Sequence, residues 1–153
     1  MIRNIYIHHT AVSYKKNPNQ APQTNEYHKT AIDENGNSKF HNGEPSSLNY
    51  WIGYTYEMNA NGEIIQARKD GEEQAAQRGY NKESISIALD MDGDVEYPTN
   101  AQLLSLRNFL REKMTEYKLT FDDVKFHRDV ALYKSCPGLQ ITRNRLFSDL
   151  FKL

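Results

Sequence analysis

Phe126-His127-Arg128-Asp129-Val130-Ala131-Leu132-Tyr133-Lys134-Ser135-Cys136-Pro137-Gly138 gathers a histidine, a lysine and the chain's single cysteine into one short stretch, which Pro137-Gly138 closes with a turn. Imidazole and thiolate are the preferred ligands of zinc, and a catalytic zinc site keeps three protein ligands and one open position. Two of the three could come from here, His127 and Cys136. The natural donor of the third is Ile5-Tyr6-Ile7-His8-His9-Thr10, at the other end of the chain. There Ile5 and Ile7 alternate with Tyr6 and His8 as in a strand, so His8 faces away from the isoleucines and His9 away from His8. Only a fold that brings both ends of the chain together makes a site of them.

Working outward, Ser84-Ile85-Ser86-Ile87-Ala88-Leu89 reads as a strand entered from the turn-like Gly79-Tyr80-Asn81, and Asp123 to Phe126 as a short strand leading into His127. Trp51 to Glu57 is aromatic and strand-like, Asn59-Ala60-Asn61-Gly62 is a turn signal, and Glu63 to Ala67 returns, which predicts a hairpin. Pro98-Thr99-Asn100-Ala101-Gln102 opens the clearest helix, with Thr99 as cap and Gln102 completing a capping box. Leu103, Leu106, Leu110, Met114 and Tyr117 then recur at spacings of three and four on one face. Residues 144–153 predict a short amphipathic helix. Residues 13–49, rich in Asn, Lys, Gln, Pro and Ser, predict surface loops with at most a short helix. Strands and helices interleave, so the expected class is α/β, a single domain over 1–153 with a central mixed β-sheet flanked by α-helices.

At 153 residues the chain can bury a core without disulfides. With 19 basic and 20 acidic side chains the net charge is -1, which removes the simple electrostatic case for nucleic-acid binding. The distribution is uneven, 9 basic against 14 acidic over residues 1–102 and 10 against 6 over 103–153, as solvated faces that happen to differ would give. One cysteine forms no intramolecular disulfide, and no apolar run is long enough to span a membrane. No signal core precedes the first strand. These features predict cytoplasmic synthesis without a signal peptide, no membrane insertion and a monomer. The residue types alone leave two readings of the cysteine open: a zinc ligand, or a nucleophile activated by His127.

Residue order adds to this. The chain resembles the zinc-dependent N-acetylmuramoyl-L-alanine amidases of the phage-lysozyme and peptidoglycan-recognition-protein superfamily over nearly its whole length. The resemblance rests on Ile7-His8-His9-Thr10, Ile52-Gly53-Tyr54-Thr55-Tyr56, Asn61-Gly62-Glu63, Gln66-Ala67-Arg68, Gly79-Tyr80-Asn81 before Ser84-Ile85-Ser86-Ile87, Pro98 to Gln102, His127 to Val130, and Lys134 to Gly138. It implies a peptidoglycan-recognition-protein-like amidase fold and a Zn2+ ion held by His8, His127 and Cys136. It also implies Tyr54 and Lys134 as active-site residues, and a muropeptide-binding groove at Tyr80, Asn81 and the neighbouring Ala76. The implied reaction is hydrolysis of the amide between the lactyl group of N-acetylmuramic acid and the L-alanine of the stem peptide.

Ala76 stands where many relatives have a histidine, Thr55 where a histidine is common, and the loop from His127 to Cys136 is one residue longer than in some relatives. With no separate wall-binding module and no export signal, the expectation is a phage or prophage endolysin that reaches the wall after the membrane is breached. The rival on the same fold is a non-catalytic recognition or partner-binding module. Relatives that only bind typically lack the cysteine ligand, which this chain keeps.

Overall fold

The computed structural model describes every residue except His41, Asn42 and Leu153. Five strands form one mixed sheet: β1 (Asn4–His9), β2 (Tyr56–Met58), β3 (Ile64–Gln66), β4 (Ser84–Leu89) and β5 (Val124–Phe126), in the order β3-β2-β4-β1-β5. β1 runs parallel to both β4 and β5, β2 runs parallel to β4, and only the hairpin pair β2–β3 is antiparallel. The helices are α1 (Ala21–Thr30), α2 (Asn100–Tyr117), the single turn α3 (His127–Val130) and α4 (Arg143–Phe151), with a 3-10 turn at Phe121–Asp123.

Side-chain alternation gives the sheet two unlike faces. Ile5 and Ile7 pair in register with Ile85 and Ile87 on one side and with Val124 and Phe126 on the other. With Tyr56, Met58 and Leu89 they form an apolar face, which packs in one core with Leu106, Phe109 and Leu110 of α2 and Leu146 and Leu150 of α4. The opposite face carries Tyr6, His8, Ser84, Ser86, Ala88 and Glu57, all nearly inaccessible to solvent. Polar groups in such a place need partners or a function. α1 covers part of that face through a Thr24–Glu57 hydrogen bond.

The capping box of α2 is present: Gln102 N donates to Thr99 Oγ1 and Thr99 N to Gln102 Oε1. Its buried stripe is centred on Leu106 and Leu110 and includes Phe109, whereas Leu103, Met114 and Tyr117 sit at its margin. The segment before the hairpin departs from expectation, since the strand spans only Tyr56–Met58. Upstream, Gly53 N donates to His28 Nδ1, Thr55 N to Ser86 Oγ, and Gly53 O accepts from Ala75 N. Side chains and a loop thus take the hydrogen bonds that a neighbouring strand would have provided. The last residue of the expected C-terminal helix, Leu153, lies outside the described residues.

Candidate active site

Parallel pairing explains how residues far apart in sequence meet. Ile7 of β1 is in register with Phe126 of β5, so His8 and His127 follow side by side, their ring centroids 4.6 Å apart. Cys136 returns to them through a loop fixed from several directions. Arg128 N donates to Cys136 O, and the Arg128 guanidinium donates to the carbonyls of Ser135, Gly138 and Ile141. Asp94 receives Ser135 Oγ and Leu139 N from across the loop. Gly138, at φ +127°, crosses Gly93 so closely that a Cβ on it would lie 2.0 Å from the Gly93 carbonyl carbon. His9, on the other side of the strand, accepts Gly93 N at Nδ1 and is used up in holding this crossing.

The result is a cluster in which one ligand atom each from His8, His127 and Cys136 lies within 4.8 Å of the others. His8 Nδ1 and Cys136 Sγ are 3.6 Å apart. Ligand atoms of a tetrahedral zinc, at ~2.0–2.3 Å from the metal, stand about 3.3–3.8 Å from one another, so the arrangement fits that ion with little adjustment. The protonation states suit it too. Burial pushes His8 down to about 3 and His127 down to about 4, His8 being depressed further by His127 and His127 by Lys134, so both imidazoles stay neutral, as ligands must. Burial also pushes the Cys136 thiol up to about 12. A thiol so raised is a poor free nucleophile, whereas a cation beside it would take it as thiolate.

Tyr54 lies against the cluster, its ring 5.1 Å from that of His8 and 5.4 Å from that of His28. Desolvation drives its hydroxyl well above the ordinary tyrosine range, with Cys136 adding to the shift, so it remains a neutral donor. Tyr54 and the exposed Lys134 line a cavity of about 470 Å3, together with Thr24, Tyr27, His28 and Phe40. His28 and Phe40 are stacked at 4.1 Å.

The remaining groove residues lie elsewhere. Tyr80 is exposed, with its ring 6.5 Å from that of Tyr6. Asn81 lines a second, polar cavity of about 380 Å3, and its Oδ1 accepts the backbone N–H groups of Ala76 and Gln77. Ala76 is half-buried and lines neither cavity. Thr55 is buried in a network with Gln74 and Ser86 rather than facing the groove.

Sequence reasoning did not single out three buried features of this face. Gln77, fully buried, meets His8 Nε2 at 2.9 Å through Oε1. His28 closes the groove wall. Glu57 and Asp90, both nearly inaccessible, are interacting neighbours beneath α1. Thr24 Oγ1 donates to Glu57 Oε2 and Gln20 N to Asp90 Oδ2, while Glu57 Oε1 and Asp90 Oδ1 find no donor. Two interacting buried carboxyls, each left with an oxygen that finds no donor, are satisfied when one of them carries a proton. Burial and the mutual charge raise Glu57 far above the ordinary carboxylate range, and burial raises Asp90.

Comparison with known proteins agrees with this geometry. The family model described as N-acetylmuramoyl-L-alanine amidase matches residues 1–139. No curated protein sequence matches the chain. Among solved structures, the N-acetylmuramoyl-L-alanine amidase LysC from Clostridium intestinale URNW is 26% identical at a TM-score of 0.74, over 97% of this chain and 85% of that one. The Ph2119 endolysin from the Thermus scotoductus MAT2119 bacteriophage Ph2119 superposes at 0.72 with 18% identity, over 99% and 86%. Drosophila Peptidoglycan Recognition Protein (PGRP)-SA superposes at 0.67 with 21% identity, over 94% and 76%. The last two likenesses speak to the fold alone. With nine-tenths of its length matched and the same mixed sheet beneath the cluster, the chain belongs to the N-acetylmuramoyl-L-alanine amidase family.

Proposed function

We propose that this protein is a zinc-dependent peptidoglycan amidase that cleaves the bond between the lactyl group of N-acetylmuramic acid and the L-alanine of the stem peptide, in the manner of an endolysin. The observation that carries the reading is the cluster of His8, His127 and Cys136 opening beside a cavity that Tyr54 and Lys134 line. Zinc bound there would act as a Lewis acid toward a carbonyl and lower the pKa of a coordinated water.

The chain's own groups supply the rest. The Tyr54 hydroxyl, held protonated by burial, donates a hydrogen bond to the oxygen that gains negative charge as the amide carbon becomes tetrahedral. Lys134 brings a positive charge to the same side, near enough to depress both His8 and His127. The walls of Tyr27, His28 and Phe40 offer an apolar surface to the stem peptide and sugar.

The test is the bond cut. Purified protein acting on cell walls should release L-alanine amino termini without new reducing sugar ends, and should carry about one zinc per chain, as a three-ligand site predicts. New reducing ends would make the protein a glycosidase. Activity that survives complete zinc removal but is abolished by thiol reagents would favour a cysteine nucleophile.

A further inference from the structure

Gln77 meets His8 on the ring nitrogen that faces away from Cys136, and the direction of that hydrogen bond follows from the groups behind it. Gln77 Nε2 donates to Tyr80 O and to Ser84 Oγ, both at 3.2 Å. A carbonyl oxygen can only accept. Ser84 Oγ gives its own proton to Tyr80 O at 2.7 Å, so toward Gln77 it too can only accept. Turning the amide over would set Oε1 against the Tyr80 carbonyl oxygen, with no proton between them. The Gln77 carboxamide is therefore locked with Oε1 toward His8, at 2.9 Å from Nε2. An amide oxygen there requires a hydrogen on Nε2, and the neutral ring then keeps its lone pair on Nδ1, the atom 3.6 Å from Cys136 Sγ.

We infer that Gln77 is a positioning residue that fixes His8 as its Nε2–H tautomer and commits Nδ1 to the metal. The inference rests on the proposed zinc site and adds to it the choice of ligand atom. The Gly79-Tyr80-Asn81 turn gains a second role from this arrangement. Asn81 Oδ1 pins the backbone N–H groups of Ala76 and Gln77, Tyr80 N donates to Gln77 O, and the Tyr80 carbonyl orients the Gln77 amide. A turn that sequence motifs assign to the substrate thus reaches the metal ligand from behind. Partners of this kind fix ring orientation and raise ligand basicity.

The test compares the parent with Gln77→Met, nearly the same shape without an acceptor. Zinc affinity measured by chelator competition should fall roughly tenfold to a hundredfold in Gln77→Met. In the zinc-loaded parent, long-range 1H–15N spectra should show His8 with a protonated Nε2 and a metal-shifted Nδ1. Metal on Nε2, or parent-like affinity in Gln77→Met, would overturn the inference. A parent that bound no zinc would instead refute the zinc reading. The same spectrum of that metal-free protein would still judge Gln77, with Nε2–H supporting the lock and Nδ1–H overturning it.

Discussion

Replacing Glu57 with glutamine should make the protein more stable at neutral pH and take one proton out of its pH dependence. In the folded chain Glu57 and Asp90 share a buried contact that is satisfied with one proton between them, and burial raises both carboxyls. In the unfolded chain both ionise near their ordinary values of 4.5 and 3.8. Above about pH 5 the native state therefore holds one proton more than the unfolded state, and stability falls as pH rises, by about 1.4 kcal/mol per unit for one proton. The contribution is complete below the ordinary carboxylate range and declines until the pair itself titrates. From pH 5.5 to 7.5 the loss is about 3 kcal/mol, a large share of the ~5–15 kcal/mol that holds a domain together.

Glutamine reproduces the protonated acid. Its amide nitrogen can donate to Asp90 and its oxygen can accept from Thr24, with no proton to take up. Urea unfolding of the parent and Glu57→Gln, followed by Trp51 fluorescence with excess chelator present, should give curves that diverge steadily with pH, the variant being the more stable. His8 and His127, whose folded values are lowered, contribute stability that is lost as pH falls below the ordinary imidazole value. Both proteins share that effect, so it cancels in the difference. Parallel pH profiles, or a Glu57→Gln protein weaker than the parent throughout, would show that the pair is ionised in the folded state and refute the reasoning.

Lys134→Ala should keep the fold and the zinc yet lower turnover by roughly a hundredfold or more, the scale for losing an oxyanion-stabilising group. Parent-like rates would return Lys134 to the role of a solvated loop residue. Cys136→Ala should lose both metal and activity, which elemental analysis alongside a wall-clearing assay separates from the lysine variant. Gly138→Ala places a Cβ 2.0 Å from Gly93 at a φ of +127°, and the turn that must shift carries Cys136. It should lower the unfolding midpoint and weaken zinc binding together, and unchanged values of both would mean that the crossing does not hold the ligand loop.

Local patterns in the sequence were enough to place most elements. The alternation at Ile5 to His8 and at Ser84 to Leu89, the Asn59–Gly62 turn and the Thr99/Gln102 box are nearest-neighbour chemistry, and the structure contains each of them. The ligand types were legible as well, because histidine and cysteine are sparse here and their order, with the lysine between them, matches a family pattern. What the sequence by itself determined was therefore the inventory of strands and helices, and the set of groups from which a metal site can be built. The stretch before the hairpin misled, because Gly53 and Thr55 send their N–H groups to His28 and Ser86, residues that no local pattern links to them.

Only the tertiary structure decided which ring nitrogen of His8 faces Cys136, that Gln77, 69 residues away, sits behind it, and that Glu57 and Asp90 end in one buried contact. Parallel register does this. Pairing β1 with β4 and β5 aligns residues whose separation in sequence carries no information about their neighbours, and the same pairing buries a polar sheet face whose groups must then satisfy one another.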